Sequence, residues 1–88
     1  MKIEFSGNHE YCFDTRVVSF EAIIDGSRLI LKVSDQAIKD NFPNTGDSME
    51  IFQKNQATIQ EIARRLIKSK GYVIGQPFLI CSRDILIV

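Results

Sequence analysis

The segment from Val17 to Val33 constrains the fold more than any other part of the sequence. Two apolar runs flank Asp25-Gly26, a dipeptide that favours a two-residue type I′ turn between antiparallel strands. Such a turn pairs Ile24 with Ser27, and this register places the apolar side chains of the two strands opposite one another. The resulting pairs are Val18 with Val33, Phe20 with Leu31, and Ala22 with Leu29. The sequence therefore predicts a β-hairpin with one apolar face.

The composition predicts one small domain that spans residues 1–88. Hydrophobic residues make up 44% of the 88 residues and charged residues 25%, which is typical of globular proteins and not of disordered, collagen-like or coiled-coil chains. No apolar run approaches the ~20 residues of a bilayer span, and the start at Met1 lacks the apolar stretch of a signal peptide. We therefore expect a cytoplasmic protein that does not contact a membrane.

A short helix is predicted directly after the hairpin. Ser34 is a favourable N-cap residue, and the helix would run from Asp35 to about Phe42. The sequence Pro43-Asn44-Thr45-Gly46 would end it, because the residue before a proline is disfavoured in a helix and glycine tolerates turn conformations.

A second, longer helix is predicted from Asp47 to Lys70. Asp47 and Glu50 resemble a capping box, and Gly71 lies just past the predicted end, where glycine is common. Apolar residues recur with helical spacing along this segment, and they are Met49, Phe52, Ile59, Ile62, Ala63 and Leu66. We expect this stripe to face the core.

Strands are predicted on both sides of this region. The stretch Lys2 to Phe5 alternates polar and apolar residues, and Ser6-Gly7-Asn8-His9 resembles a surface turn. Phe78 to Cys81 is apolar throughout, which suggests a central strand covered on both faces. The predicted class is α+β: an antiparallel sheet built on the central hairpin, with one short and one long helix on one face and C-terminal strand(s).

The sequence contains no recognisable catalytic or cofactor site. His9 is the only histidine, and no metal-ligand spacing surrounds it. The glycines are scattered, so neither a dinucleotide fingerprint nor a phosphate-binding loop is present. We therefore expect no metal, no cofactor and no enzymatic activity.

The two cysteines are expected to be reduced and mostly buried. Cys12 lies near Glu10 and Asp14, whose negative charges should raise the pKa of its thiol, and Cys81 follows an apolar run that also disfavours the thiolate. Neither thiol resembles a nucleophile.

A cluster of basic residues lies at the end of the long helix. Basic side chains there can simply complement the helix dipole, or they can contact an anion such as nucleic acid. Tyr11 and Phe13 could supply rings for stacking on bases, although packing at a sheet edge explains them equally well. The candidate anion or nucleic-acid contacts are Arg64, Arg65, Lys68 and Lys70.

The final residues form an uncharged, β-prone segment. Ile85, Leu86, Ile87 and Val88 would template pairing with another chain if they lay exposed at a sheet edge. Two outcomes remain open. The segment pairs with its copy in a homodimer, which we favour because a small domain has little core to cover it, or it folds back as a buried strand of a monomer.

The sequence also resembles a known family. The matching positions are mainly core, turn and cap residues: Phe5, Phe13-Asp14, Val18, Phe20, Ala22, Asp25-Gly26, Val33-Ser34, Ala37-Ile38, Phe52, Ile59 and Ala63. They resemble an uncharacterised family of short proteobacterial proteins, domain of unknown function number 1488, which includes YrdB-like proteins. The resemblance implies a compact α+β domain in the bacterial cytoplasm, and it implies no activity, cofactor or catalytic residue. Phe13 departs from relatives that often carry tryptophan at this position.

These features predict a non-enzymatic binding or protein-interaction module whose partner the sequence does not name. The alternative is a nucleic-acid-associated regulatory protein that uses the basic end of the long helix. Eleven basic residues balance eleven acidic ones, so no net charge attracts the protein to nucleic acid or lipid.

Overall fold

The computed structural model describes residues 2–42 and 46–86, with only the backbone of Leu86. Along the chain, strands β1 to β3 come first, helices α1 to α3 follow, and β4 and α4 come last. Their bounds are β1 Ile3–Cys12, β2 Val17–Ile24, β3 Ser27–Ser34, α1 Asp35–Asn41, α2 Ser48–Lys54, α3 Gln56–Lys70, β4 Phe78–Ile80 and α4 Ser82–Leu86. The predicted helix end at Pro43-Asn44-Thr45 and the residues Ile87 and Val88 lie outside the described residues.

The strands form one four-stranded sheet in the order β1-β2-β3-β4. β1, β2 and β3 are antiparallel neighbours, whereas β4 pairs in parallel with β3. The predicted hairpin register is confirmed, because Ile24 pairs with Ser27 and Phe20 pairs with Leu31. The α+β class and the central hairpin are therefore confirmed, and the sheet is mixed at its β4 edge.

The turn between β2 and β3 has the predicted geometry. Asp25 and Gly26 both have positive φ, 49° and 87°, as a type I′ turn requires. The Asp25 carboxylate also accepts a hydrogen bond from the Lys2 backbone N–H at 2.9 Å, so the turn holds the start of β1.

β1 continues well beyond the predicted Lys2–Phe5 strand. The register shifts between Phe5 and His9, where Gly7 adopts a φ of 88°, so the segment predicted as a surface turn is a bulge within the strand. His9 lies in the strand, where its Nδ1 bonds the Gly7 carbonyl at 2.9 Å and the Gln53 side-chain amide bonds its Nε2 at 3.1 Å. The prediction of a loop at His9 is therefore wrong.

The helices begin at the predicted caps. The Ser34 hydroxyl accepts a bond from the Ala37 N–H at 3.0 Å, and the Asp47 carboxylate accepts one from the Glu50 N–H at 2.9 Å. The predicted long helix is divided into α2 and α3 at Asn55, whose φ of −115° and ψ of 18° are not helical. Its apolar side chains nevertheless face the core, as predicted.

All helices but the last cover one face of the sheet, and the core lies between them. Alternate residues of β2 and β3 are buried on this face, and α1, α2 and α3 contribute the opposing side chains. The largest fully buried side chains are Phe52, Ile24, Leu29, Leu31, Ile38, Ile51, Ile59, Leu66, Ile67, Val18 and Val33. No helix within the described residues is long and apolar enough to cross a membrane.

The C-terminal region differs most from the prediction. β4 is an edge strand and not a central one, and the Leu79 side chain is 65% exposed on it. Ile85 and Leu86 lie in α4, which packs against α1, so the prediction of a β segment is wrong for these two residues. Their proposed role as dimer contacts stays a prediction, as does that of Ile87 and Val88.

Candidate functional site

A cavity of about 270 Å³ opens where the β1–β2 turn meets the starts of α1 and α2. Three segments that are distant in the sequence converge there. Its lining residues are Tyr11, Phe13, Asp35, Lys39, Asp47, Ser48 and Met49, and we call it the Phe13 cavity.

Two aromatic rings form one wall of the Phe13 cavity. Phe13 follows β1 directly and is 83% exposed, and its ring packs edge-on against Tyr11 with 5.0 Å between the ring centroids. The turn is fixed in place because Arg16, at a φ of 55°, accepts a hydrogen bond on its carbonyl from the Asp35 N–H at 2.8 Å. The exposed ring therefore has a defined position beside the start of α1.

Two residues that line the Phe13 cavity each carry a buried polar atom without a partner among the described residues. The Oδ1 atom of Asp35 and the Oγ atom of Ser48 are both buried and have no hydrogen-bond partner among the described residues. Ser48 is only 3% exposed. A buried acceptor without a donor costs about 1–3 kcal/mol, so a hydrogen-bond donor that reached either atom would stabilise the folded protein.

The charges around the Phe13 cavity are predominantly negative. Asp35 and Asp47 are carboxylates, and Lys39 is the single basic residue among the described residues that line the cavity. The Lys39 ammonium is 3.7 Å from Oδ2 of Asp35, and Oδ1 of Asp35 has no hydrogen-bond partner within the described part of the chain. Asp47 also caps α2, so its carboxylate is held at the cavity by the helix that it begins.

This arrangement suits a cationic group with several hydrogen-bond donors. The faces of aromatic rings such as Tyr11 and Phe13 attract cations, and the oxygens of Asp35 and Ser48 are able to accept hydrogen bonds. A guanidinium group meets both requirements, because it stacks on aromatic rings and carries five donors in one plane. The volume lies just below the ~300 Å³ of small-molecule pockets, so the cavity suits a single side chain.

Most residues of the predicted basic cluster form ion pairs with acidic neighbours. Glu61 pairs with Arg64 at 2.7 Å and with Arg65 at 3.6 Å, and Lys70 pairs with the buried carboxylate of Asp84. Lys68 is exposed and has no ion pair within the described part of the chain. The structure thus places the four basic residues on one helix, and three of them have acidic partners among the described residues.

The aromatic residues expected near this cluster lie elsewhere. Arg64 contacts the face of Phe5, 5.5 Å from the ring centroid, near the start of β1. Tyr11 lies towards the other end of β1, and Phe13 follows that end. The basic cluster and the exposed rings therefore do not form one surface.

The two cysteines differ from their predicted environments. Cys81 is exposed rather than buried, and Cys12 is half-buried. Hydrogen bonds from Thr15 lower the pKa of the Cys12 thiol, so the predicted increase is wrong. The pKa of the Cys81 thiol is raised, as expected. Desolvation is the largest cause, and the hydrogen bond to Asp84 is the second. Within residues 2–42 and 46–86, no His, Cys, Asp or Glu group is arranged to hold a metal ion.

The sequence indicated Tyr11 and Phe13 only as possible stacking rings, and it did not connect them with the polar residues of the Phe13 cavity. Asp35 and Asp47 are fully explained as helix-start residues, and Ser48 lies in no chemical motif. The available signal was the large aromatic residue Phe13 within a polar turn, next to Asp14 and Thr15. Only the packing of α1 and α2 beside that turn brings the polar residues to the ring.

The family match covers the same part of the chain. The sequence matches the family described as "Protein of unknown function (DUF1488)" over residues 3–76. The chain belongs to the DUF1488 family. This confirms the family inferred from the sequence, and the YrdB-like label stays a prediction. The DUF1488 match includes every residue of the Phe13 cavity and ends before β4.

A solved DUF1488 structure has the same fold. It is described as a crystal structure of a protein of unknown function from the DUF1488 family of Shewanella loihica PV-4, and it is 15% identical with a TM-score of 0.73. The match covers 91% of this chain and 94% of that one. At this identity the likeness concerns the fold alone. A comparison with curated proteins found no significant match.

Proposed function

We propose that this DUF1488 protein is a non-enzymatic interaction module of the bacterial cytoplasm, which binds a partner protein by taking one arginine side chain into the Phe13 cavity. The observation that carries the proposal is that Asp35 and Ser48, which line a negatively charged cavity, each have a buried oxygen without a partner among the described residues. An arginine from a partner would supply the missing donors.

A protein partner explains the exposure of Phe13 better than a free small molecule does. The ring is 83% exposed, and a ligand confined to the cavity would leave most of that surface in water. A partner backbone on either side of the arginine would cover the ring, and aromatic residues of this kind often carry much of the energy of an interface.

The nucleic-acid alternative has less support. It depends on Arg64, Arg65, Lys68 and Lys70, and three of these four already have acidic partners. Phosphate contacts by those three would have to compete with Glu61 and Asp84. We therefore place the arginine-binding proposal first.

A peptide titration followed by NMR tests the proposal. We expect a blocked Gly-Arg-Gly peptide to shift the amide signals of Phe13, Asp35 and Ser48, and the matched peptide with citrulline to leave them unchanged, because citrulline keeps the shape and loses the charge. Asp35→Asn should weaken binding about tenfold or more, since a hydrogen bond to a charged group is worth about 1.5–3 kcal/mol.

Asp14→Asn is the matched control. Asp14 is an exposed carboxylate next to Phe13 that does not line the cavity, so its neutralisation should leave the affinity within about twofold. Equal binding of the arginine and citrulline peptides, or equal losses in the two variants, would refute the proposal.

A further inference from the structure

The face of the sheet opposite the helices is open over the described residues. Along β3, buried side chains alternate with partly or fully exposed ones, and the alternate residues that point away from the core have no helix over them. We call this surface the open face. Two half-buried isoleucines, Ile23 and Ile30, give it an apolar centre.

Charges on the open face are separated by strand. The register places Glu10 of β1, Ser19 of β2 and Lys32 of β3 in one row across the sheet. A second row consists of Glu4, Ile23 and Arg28. In both rows the acidic residue lies on β1 and the basic residue lies on β3.

The charges of the first row are not neutralised by any of the described residues. Neither Glu10 nor Lys32 forms an ion pair or a side-chain hydrogen bond among the described residues, since β2 separates them by about 10 Å. The small Ser19 side chain between them leaves a depression of about 470 Å³ that both charged residues line. A partner side chain therefore has room beside each charge.

We propose that the open face binds the open face of a second copy of this chain, related by a two-fold axis that runs parallel to the strands over β2. This rotation places β1 of each copy opposite β3 of the other. Glu10 then meets Lys32 of the partner copy twice, once on each side of the axis. A two-fold axis perpendicular to the strands would instead place each strand opposite its own copy, so that like charges meet. Charge complementarity therefore favours the axis parallel to the strands.

The central residues are compatible with the proposed axis. Ile23 would meet its own copy at the axis, which buries apolar surface. Glu21 also lies on β2, but it is already bonded to Arg28, so its charge is neutralised before the two copies meet. The interface would therefore have an apolar and neutral centre between two charged margins.

The area of the open face determines the affinity that we expect for the dimer. Three strands about 4.8 Å apart, with about eight residues each at a rise of about 3.4 Å, cover roughly 400 Å² per copy, or about 800 Å² for the pair. This is below the ~1,200 Å² of stable interfaces. We therefore expect a weak dimer with a dissociation constant in the range of about 10–100 µM.

Sedimentation equilibrium with charge-reversed variants tests this proposal. The wild type should dimerise as its concentration rises towards about 1 mM. Glu10→Lys and Lys32→Glu should each weaken the dimer about tenfold or more, because each places like charges together at both margins. The double variant should restore it, since the pair then meets with its signs exchanged. Circular dichroism confirms that each variant is folded.

Lys68→Glu is the matched control for Lys32→Glu. It makes the same charge change on α3, away from the open face, and should leave dimerisation unchanged. A wild type that stays monomeric at about 1 mM overturns the proposal, as does a double variant no better than the single ones. A dimer that neither single change weakens also overturns it, and would favour contact through residues 85–88. The peptide titration tests the Phe13 cavity and not the open face, so its result does not depend on whether the protein dimerises.

Discussion

The carboxylate of Asp84 connects the C-terminal helix to the end of α3. Asp84 is 4% exposed, and it accepts a hydrogen bond from the Cys81 N–H at 2.9 Å and another from the Lys70 ammonium. Burial alone would raise the pKa of Asp84, but these two bonds outweigh it and lower the pKa below its usual value. The folded state therefore favours the charged carboxylate.

We expect Asp84→Asn to destabilise the protein by about 1–2 kcal/mol at pH 7, since it removes a charged acceptor from two hydrogen bonds. The pKa is lower in the folded state than in the unfolded state, so this stabilisation is fully present above the unfolded value of about 4 and is lost as the pH falls through the folded value. Urea unfolding of both proteins from pH 7 to about pH 2.5 would measure the difference.

Glu61→Gln is the control for Asp84, because Glu61 also pairs with basic side chains but is about half exposed. We expect it to change stability by only tenths of a kcal/mol. A difference between wild type and Asp84→Asn that stays constant down to pH 2.5, or grows, would contradict the assigned direction of the pKa.

The division of the second helical region at Asn55 coincides with a side-chain hydrogen bond at the end of α2. The Asn55 side-chain amide donates to the Ile51 carbonyl at 2.8 Å, and its backbone N–H contacts the carbonyls of Ile51 and Phe52. Its own carbonyl then accepts the Ile59 N–H at 2.9 Å and begins α3. One residue therefore ends one helix and starts the next.

Asn55→Ala should lower the free energy of unfolding by about 0.5–1.5 kcal/mol, because it removes the bond to the Ile51 carbonyl. Helix propensity alone predicts the opposite sign, since alanine is the best helix former. Thermal or urea unfolding distinguishes the two. Thr58→Ala, at an exposed position of α3, is the control and should be neutral or slightly stabilising. Stabilisation by Asn55→Ala would show that the break is not held by this side chain.

At the scale of the whole molecule, electrostatics disfavours binding to nucleic acid. The formal net charge is zero, and the acidic residues Glu61 and Asp84 lie within the only basic cluster noted from the sequence. Lys68 is the member of that cluster without an ion pair among the described residues. Affinity for a phosphate backbone depends on the number of phosphates contacted, and one lysine supplies little.

We therefore expect fluorescence anisotropy with labelled duplex DNA and single-stranded RNA to show binding weaker than about 10⁻⁴ M even at low salt. Asp14→Lys, a gain of positive charge away from the basic cluster, is a control for non-specific attraction. Micromolar binding that weakens steeply with salt and is lost in Arg65→Ala/Lys68→Ala would contradict this expectation and restore the alternative.

Local interactions made several elements predictable. The hairpin register follows from Asp25-Gly26 and the alternation around it, and the starts of α1 and α2 follow from Ser34 and Asp47, whose side chains bond amides three residues away. Such contacts involve neighbouring residues, so a short pattern encodes them completely. They account for the confirmed α+β class.

Tertiary structure decided the rest. Gln53 of α2 bonds the His9 side chain directly after the bulge in β1. β4 lies at the sheet edge because the chain returns beside β3 in parallel. Neither of these long-range contacts is encoded in a local sequence pattern. The Phe13 cavity combines a turn residue with Asp35 and Ser48 from two later helices. In the sequence each of these residues has a separate structural role, and only the packing of the helices against the sheet brings them to one cavity.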